Sequence, residues 1–196
     1  MTRLTTNSVS RRAALAGLGA GGLGLALAAS PRPAAAQDAA TAMATHPLVG
    51  TWMTGTGTGD FGVAHWDADG DMTLNGLLPT PGPDGTVIHG SPFAGVWEPD
   101  GARGIHHTMM ALTYDAAGAV TGSVTVDGYP VANEDGNSFW DDGTRAVVTL
   151  RDATGAVSQE TVGVPAVAGV RMAPGKPGYD ELLAMLAAGP AATPTT

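Results

Sequence analysis

The sequence uses one design three times. Gly50-Thr51-Trp52 leads through an extended stretch to Asp67-Ala68-Asp69-Gly70, and Gly95-Val96-Trp97 leads in the same way to Asp115-Ala116-Ala117-Gly118. A looser copy runs from Phe139-Trp140 to Asp152-Ala153-Thr154-Gly155. Asp at the head of such a turn accepts a hydrogen bond from the backbone two residues on, and the Gly takes the positive φ that closes a hairpin. Three hairpins with one turn chemistry imply a meandering antiparallel sheet across residues 46–173. In a single domain, closure removes the edges such a sheet would leave, so the expected fold is all-β: an antiparallel barrel of about 8–10 strands.

Turn geometry also sets register. If Asp115 pairs with Ala119, Tyr114 faces Val120, Leu112 faces Gly122, Met110 faces Val124 and Thr108 faces Val126. The apolar second strand then points this whole set inward, with His106 inside and His107 outside opposite Asp127. Neighbours on a strand face opposite ways, so His106 and His107 do not form a chelating pair. The same construction on the first hairpin puts Ala64, Trp66, Met72 and Leu74 inside and His65 outside. The third hairpin leaves two registers open. The turn geometry would send Arg145 and Arg151 inward, where Arg151 would hold a ligand carboxylate through a bidentate pair, whereas plain alternation makes Ala146, Val148 and Leu150 the core face.

Both ends of the chain differ from this middle. Ser10-Arg11-Arg12, the Gly/Ala-rich apolar run from Ala13 to Ala29 and Ala34-Ala35-Ala36 have the order of an export signal with an A-x-A cleavage site, and the paired arginines resemble a twin-arginine signal. The expected organisation is a signal peptide over 1–36, a flexible lead-in over 37–45, the barrel over 46–173, a linker and C-terminal helix over 174–190 and a disordered tail over 191–196. The apolar run is too short and too weak for a membrane span, so none is expected after cleavage; the mature protein is periplasmic or extracellular. In the helix, Asp180 and Glu181 occupy the first turn and Leu182, Leu183, Met185 and Leu186 form an apolar stripe.

Charge and composition exclude several function classes. Cleavage would leave five basic residues against eighteen acidic ones, a net charge of −13, which repels phosphate backbones and excludes nucleic acid as a partner. No cysteine is present, so disulfides, thiolate metal sites and a lipidated cysteine are excluded. Asp67-Ala68-Asp69-Gly70-Asp71 lacks the glycine and glutamate positions of a calcium loop and reads as a turn. No serine has a nucleophile-elbow context, no two histidines have a convincing ligand spacing, and no cofactor is expected.

His46-Pro47-Leu48-Val49-Gly50-Thr51-Trp52, a G-x-W on the first strand followed by a β meander and a C-terminal helix, resembles the lipocalin and fatty-acid-binding (calycin) barrels. Residues 95–126 look like uncharacterised secreted bacterial proteins of the same broad type. Similarity to the haem-binding nitrobindin barrels is limited to Gly50-Thr51-Trp52 with Gly55, Gly57 and Gly59; no histidine follows His107 to supply their late proximal ligand. The calycin resemblance implies that Trp52 closes one end of the barrel and that the lumen binds a small, largely apolar molecule. Trp66, His106, Met110, Tyr114 and, in one register, Arg151 are the candidate ligand-binding residues, with Leu78 to Ser91 the candidate portal. Two other classes stay open: an isomerase or cyclase using His106 and Tyr114 as acid and base, and an interaction module with a closed core.

Overall fold

The computed structural model describes residues 41–76, 80–81 and 87–189. The expected signal, residues 37–40 of the lead-in, half of the expected portal and the tail lie outside these residues. In chain order the strands are β1 (Gly50–Thr56), β2 (Phe61–Trp66), β3 (Asp71–Asn75), β4 (Thr80–Pro81), β5 (Val87–Gly90), β6 (Phe93–Asp100), β7 (Gly104–Tyr114), β8 (Val120–Gly128), β9 (Val131–Ala132), β10 (Ser138–Asp141), β11 (Val147–Asp152), β12 (Val157–Val162) and β13 (Val167–Arg171). One helix, α1 (Tyr179–Ala188), follows them.

All pairings are antiparallel, and the ring β1-β2-β3-β6-β7-β9-β10-β13 closes on itself. Its eight strands follow chain order, so the barrel is an up-and-down meander, the architecture that the calycin resemblance implies. The β4–β5 and β11–β12 hairpins are insertions in this meander. β8 runs along the same side of β7 as β9 and carries β11 and β12 outward as an extension.

The three Asp-x-x-Gly turns form alike. Asp67, Asp115 and Asp152 each accept from two backbone N–H groups through Oδ1, and Gly70, Gly118 and Gly155 take φ of 95°, 82° and 86°. After the turns the hairpins diverge. β2 and β3 pair without a break, Trp66 opposite Met72, so Ala64, Trp66, Met72 and Leu74 are buried and His65 is exposed. In the β7–β8 hairpin Tyr114 pairs with Val120 but Thr113 pairs with Gly122, leaving Thr121 as a bulge.

That one extra residue reverses the inward face of β7. Ile105, His107, Met109, Ala111 and Thr113 are buried, while Met110 is 50% exposed and Leu112 38% exposed. The expectation that His106, Met110 and Tyr114 point inward is therefore corrected. The face expected for β8 holds, since Gly122, Val124, Val126 and Gly128 oppose the buried residues of β7. A second bulge, between Leu150 and Arg151, moves Gln159 opposite Leu150. Ala146 is buried, Val148 and Leu150 oppose Val126 and Val124, and Arg151 is exposed, donating to the Gly155 carbonyl at 3.2 Å. Val148 and Leu150 are half-buried on the face that plain alternation names, whereas Thr149, on the other face, is 8% exposed, so alternation holds only in part; a lumenal Arg151 is excluded.

One end of the barrel is filled by aromatic rings. Trp52, Trp66 and Phe139 meet edge to face with centroids 5.3–6.3 Å apart, the arrangement ring quadrupoles prefer. Trp52 is fully buried and its indole donates to the Leu48 carbonyl at 2.8 Å. The Arg171 guanidinium lies 4.2 Å over the Trp52 ring and donates to the carbonyls of Pro47, Val49 and Gly136. Residues 41–44, inside the expected lead-in, form a helical turn from which Met43 packs on the core. Helix α1 lies on β1 and β13 and buries Leu182.

Candidate functional site: the barrel lumen

Above the aromatic floor lies a cavity of about 70 Å³. One enclosed water needs roughly 10–15 Å³ on this measure, so the space holds about five to seven water-sized bodies. Its walls are mostly apolar: Ala64 from β2, Met72 and Leu74 from β3, Met109 from β7, Val126 from β8 and Val167 from β13. Trp66 and Phe139 form its base, and the exposed Pro165, with Val164, marks the side facing solvent. Alternation on β2, β3 and β7 brings these side chains together, because every second residue of each strand is directed inward.

Polar groups enter at His107, Asp141, Trp66 and Thr54. His107 is 8% exposed, and its ring centroid lies 6.2 Å from that of Trp66. Burial holds its pKa at about 4 rather than 6.5; the neighbouring His106 lowers it further and Asp127 partly opposes this. At neutral pH His107 is therefore an uncharged imidazole with one donor and one acceptor nitrogen. Its Nδ1 and the Trp66 Nε1 are both buried without a hydrogen-bond partner. A buried polar group left without a partner costs about 1–3 kcal/mol.

Asp141 is 7% exposed. Its Oδ2 accepts from the Tyr129 N–H at 2.7 Å and its Oδ1 from the Gly143 N–H at 2.9 Å, the acceptor-only pattern of an ionised carboxylate. Gly128 makes this neighbourhood possible. A methyl group on its α-carbon would come within 2.6 Å of His107 Nε2 and 3.2 Å of Asp141 Oδ2. Gly128→Ala is expected to displace the His107 ring and to lower stability by about 1–3 kcal/mol, the usual cost of overpacking. Thermal unfolding together with the His107 ring resonances would check this.

Of the residues expected to line the lumen, Trp66 does. His106, on the outer face, sits 3.6 Å from Glu98 and 3.6 Å from Asp127 and stacks on Tyr129 with centroids 4.7 Å apart. Arg145 also lies over the Tyr129 ring, 3.8 Å from its centroid, and is bound to Asp100 at 3.0 Å. Tyr114 stands eight residues along β7 from His106, about 26 Å at strand rise. An acid–base pair of His106 and Tyr114 is therefore lost. His107 and Asp141 were missed. For His107 the available signal was Gly122, since an isolated glycine within a strand pattern marks a bulge or a close approach; adding a Cβ there would bring it within 1.9 Å of the Arg151 carbonyl. Nothing in the sequence pointed to Asp141.

A second buried histidine lies outside the cavity. His46 accepts from the Leu48 N–H at 3.2 Å and packs against Trp97. Burial lowers its pKa, while the nearby Gly104 and Gly101 carbonyls oppose the shift without an oxygen reaching hydrogen-bond geometry at Nε2. Among the described residues no three of His, Asp and Glu converge to hold a metal ion, and no described helix is long and apolar enough to cross a membrane. Comparison with protein-family models, with curated proteins and with solved structures finds no match.

Proposed function

We propose that the protein is an exported, lipocalin-like binder whose barrel lumen holds a small, largely apolar ligand. The observation that carries this reading is the apolar cavity of about 70 Å³ between the aromatic floor and the Val164–Pro165 side. A core serving stability alone would be filled, because protein interiors pack to crystal density. That volume suits a compact molecule. The paired arginines and A-x-A stretch near the N-terminus support export. An interaction module with a closed core accounts less well for an apolar cavity bordered by the exposed Pro165.

Native mass spectrometry of the protein recovered from the culture medium or periplasm tests the reading. The expected result is a bound species of low mass that leaves on mild activation, together with an N-terminus after Ala36. Recovery of ligand-free protein that takes up no small organic molecule at millimolar concentration would remove the binding function. Recovery only from the cytoplasm would remove the export reading.

A further inference from the structure

We propose that the lumen selects a compact alkylammonium, an apolar body carrying one protonated amine, over uncharged molecules of the same shape and over carboxylates. This rests on the lumenal reading above and sharpens it. It departs from the anionic ligands that the fatty-acid-binding resemblance implies.

Asp141 sets the sign. It is the one charged side chain among the residues lining the cavity, it is 7% exposed, and none of the ion pairs among the described residues includes it. The Tyr129 and Gly143 N–H groups hold one oxygen each, so each oxygen keeps acceptor capacity for a further donor. Gly128 places the carboxylate relative to the lumen. This glycine lies on the inward face of β8 and lines the cavity, and a Cβ on it would come within 3.2 Å of Asp141 Oδ2 and 2.6 Å of His107 Nε2. The two polar atoms therefore converge on the lumenal side of Gly128. The imidazole is neutral at physiological pH and adds no competing cation; with its proton on Nδ1, it offers Nε2 as a second acceptor.

No cation of the chain answers this charge. Arg151 is exposed, Arg145 pairs with Asp100, Arg171 lies over Trp52, and none of the three lines the cavity. A carboxylate withdrawn from water without a counter-charge gains most from a cation that brings its own donors. An ammonium supplies three N–H donors, and hydrogen bonds between charged partners are roughly twice as strong as neutral ones. A hydroxyl of the same shape supplies one donor and no charge, and a carboxylate supplies neither and is repelled by Asp141. The apolar body of the guest would rest against Met72, Met109 and Val126. The net charge of −9, with the expected signal included, attracts small cations to the molecule as a whole.

Titration at neutral pH with tert-butylamine, its uncharged isostere tert-butanol and isobutyrate tests this, followed on the methyl resonances of Ala64, Met109 and Val126, which line the cavity. The amine, an ammonium at this pH, is expected to move these resonances to saturation at a concentration at least about tenfold lower than the alcohol needs, the worth of a hydrogen bond between charged groups. Isobutyrate is expected to leave them unmoved over the range in which the amine saturates. Asp141→Asn is expected to weaken the amine at least about tenfold and the alcohol less than about twofold, since only the amine depends on the charge. Equal binding of amine and alcohol, lumenal binding of isobutyrate as tight as that of the amine, or equal weakening of amine and alcohol in the variant would each overturn the inference while leaving a lumenal binder. Failure of all three probes to move the lumenal methyl groups would overturn both. Should Asp141→Asn fail to fold, the wild-type comparison of amine, alcohol and carboxylate still decides.

Discussion

Arg171→Ala is expected to lower the unfolding free energy by about 3 kcal/mol or more, read as a fall in the urea midpoint without a change in slope. Three donors of one guanidinium hold the carbonyls of Pro47, Val49 and Gly136, and its face covers Trp52. Truncation leaves those carbonyls without this partner and uncovers an indole that is fully buried in the folded chain. Hydrogen bonds from a charged donor contribute about 1.5–3 kcal/mol each, and they do not add fully because they share one side chain. Arg171→Lys is expected to recover a minor part, since an ammonium lacks the planar fork that reaches several carbonyls at once. Gly50 belongs to the same device: with φ at 134°, a Cβ there would come within 2.6 Å of Arg171 Nη1. The glycine of the G-x-W thus makes room for the arginine that clamps the tryptophan.

This clamp shows what could be read from the residues and what could not. Local chemistry was legible: Asp-x-x-Gly dictates its own turn, the first hairpin keeps the register its turn sets, and Asp180, Glu181 and Leu182 mark the C-terminal helix. Closure was legible as well, because a meander of this length has few other ways to dispose of its edges. The site was hidden by a single residue. Thr121 adds one position to β8, and since strand side chains alternate, that insertion exchanged His106 for His107 and Met110 for Met109. A bulge is a property of two strands together, fixed here where Gly122 lets β11 approach β8, and one strand's pattern does not contain it. Asp141 was invisible for a related reason: its Gly143 N–H donor is local, two residues on, but the Tyr129 N–H comes from twelve residues earlier and is brought to it by the fold.

Acidification is expected to destabilise the protein before its carboxylates titrate, and His107 is the main cause. Above about pH 6.5 the residue is neutral in both the folded and unfolded chain and adds no pH dependence. Between 6.5 and about 4 the unfolded chain binds a proton that the folded one refuses, because the ring is buried beside Trp66 away from water. Stability must therefore fall as the pH falls through this window, and the gap between the two values amounts to about 3 kcal/mol once pH 4 is reached. His46, lowered for the same reason, acts in the same direction. Asp142, whose carboxyl is held low chiefly by the Thr144 N–H and hydroxyl, begins to contribute only below its ordinary value of 3.8. Urea unfolding followed from neutral pH down to about 4.5 measures the effect. In His107→Leu, which cannot titrate, most of the slope is expected to vanish. A slope retained in full by that variant would place the titrating group elsewhere and would remove the case for a neutral imidazole in the lumen at physiological pH.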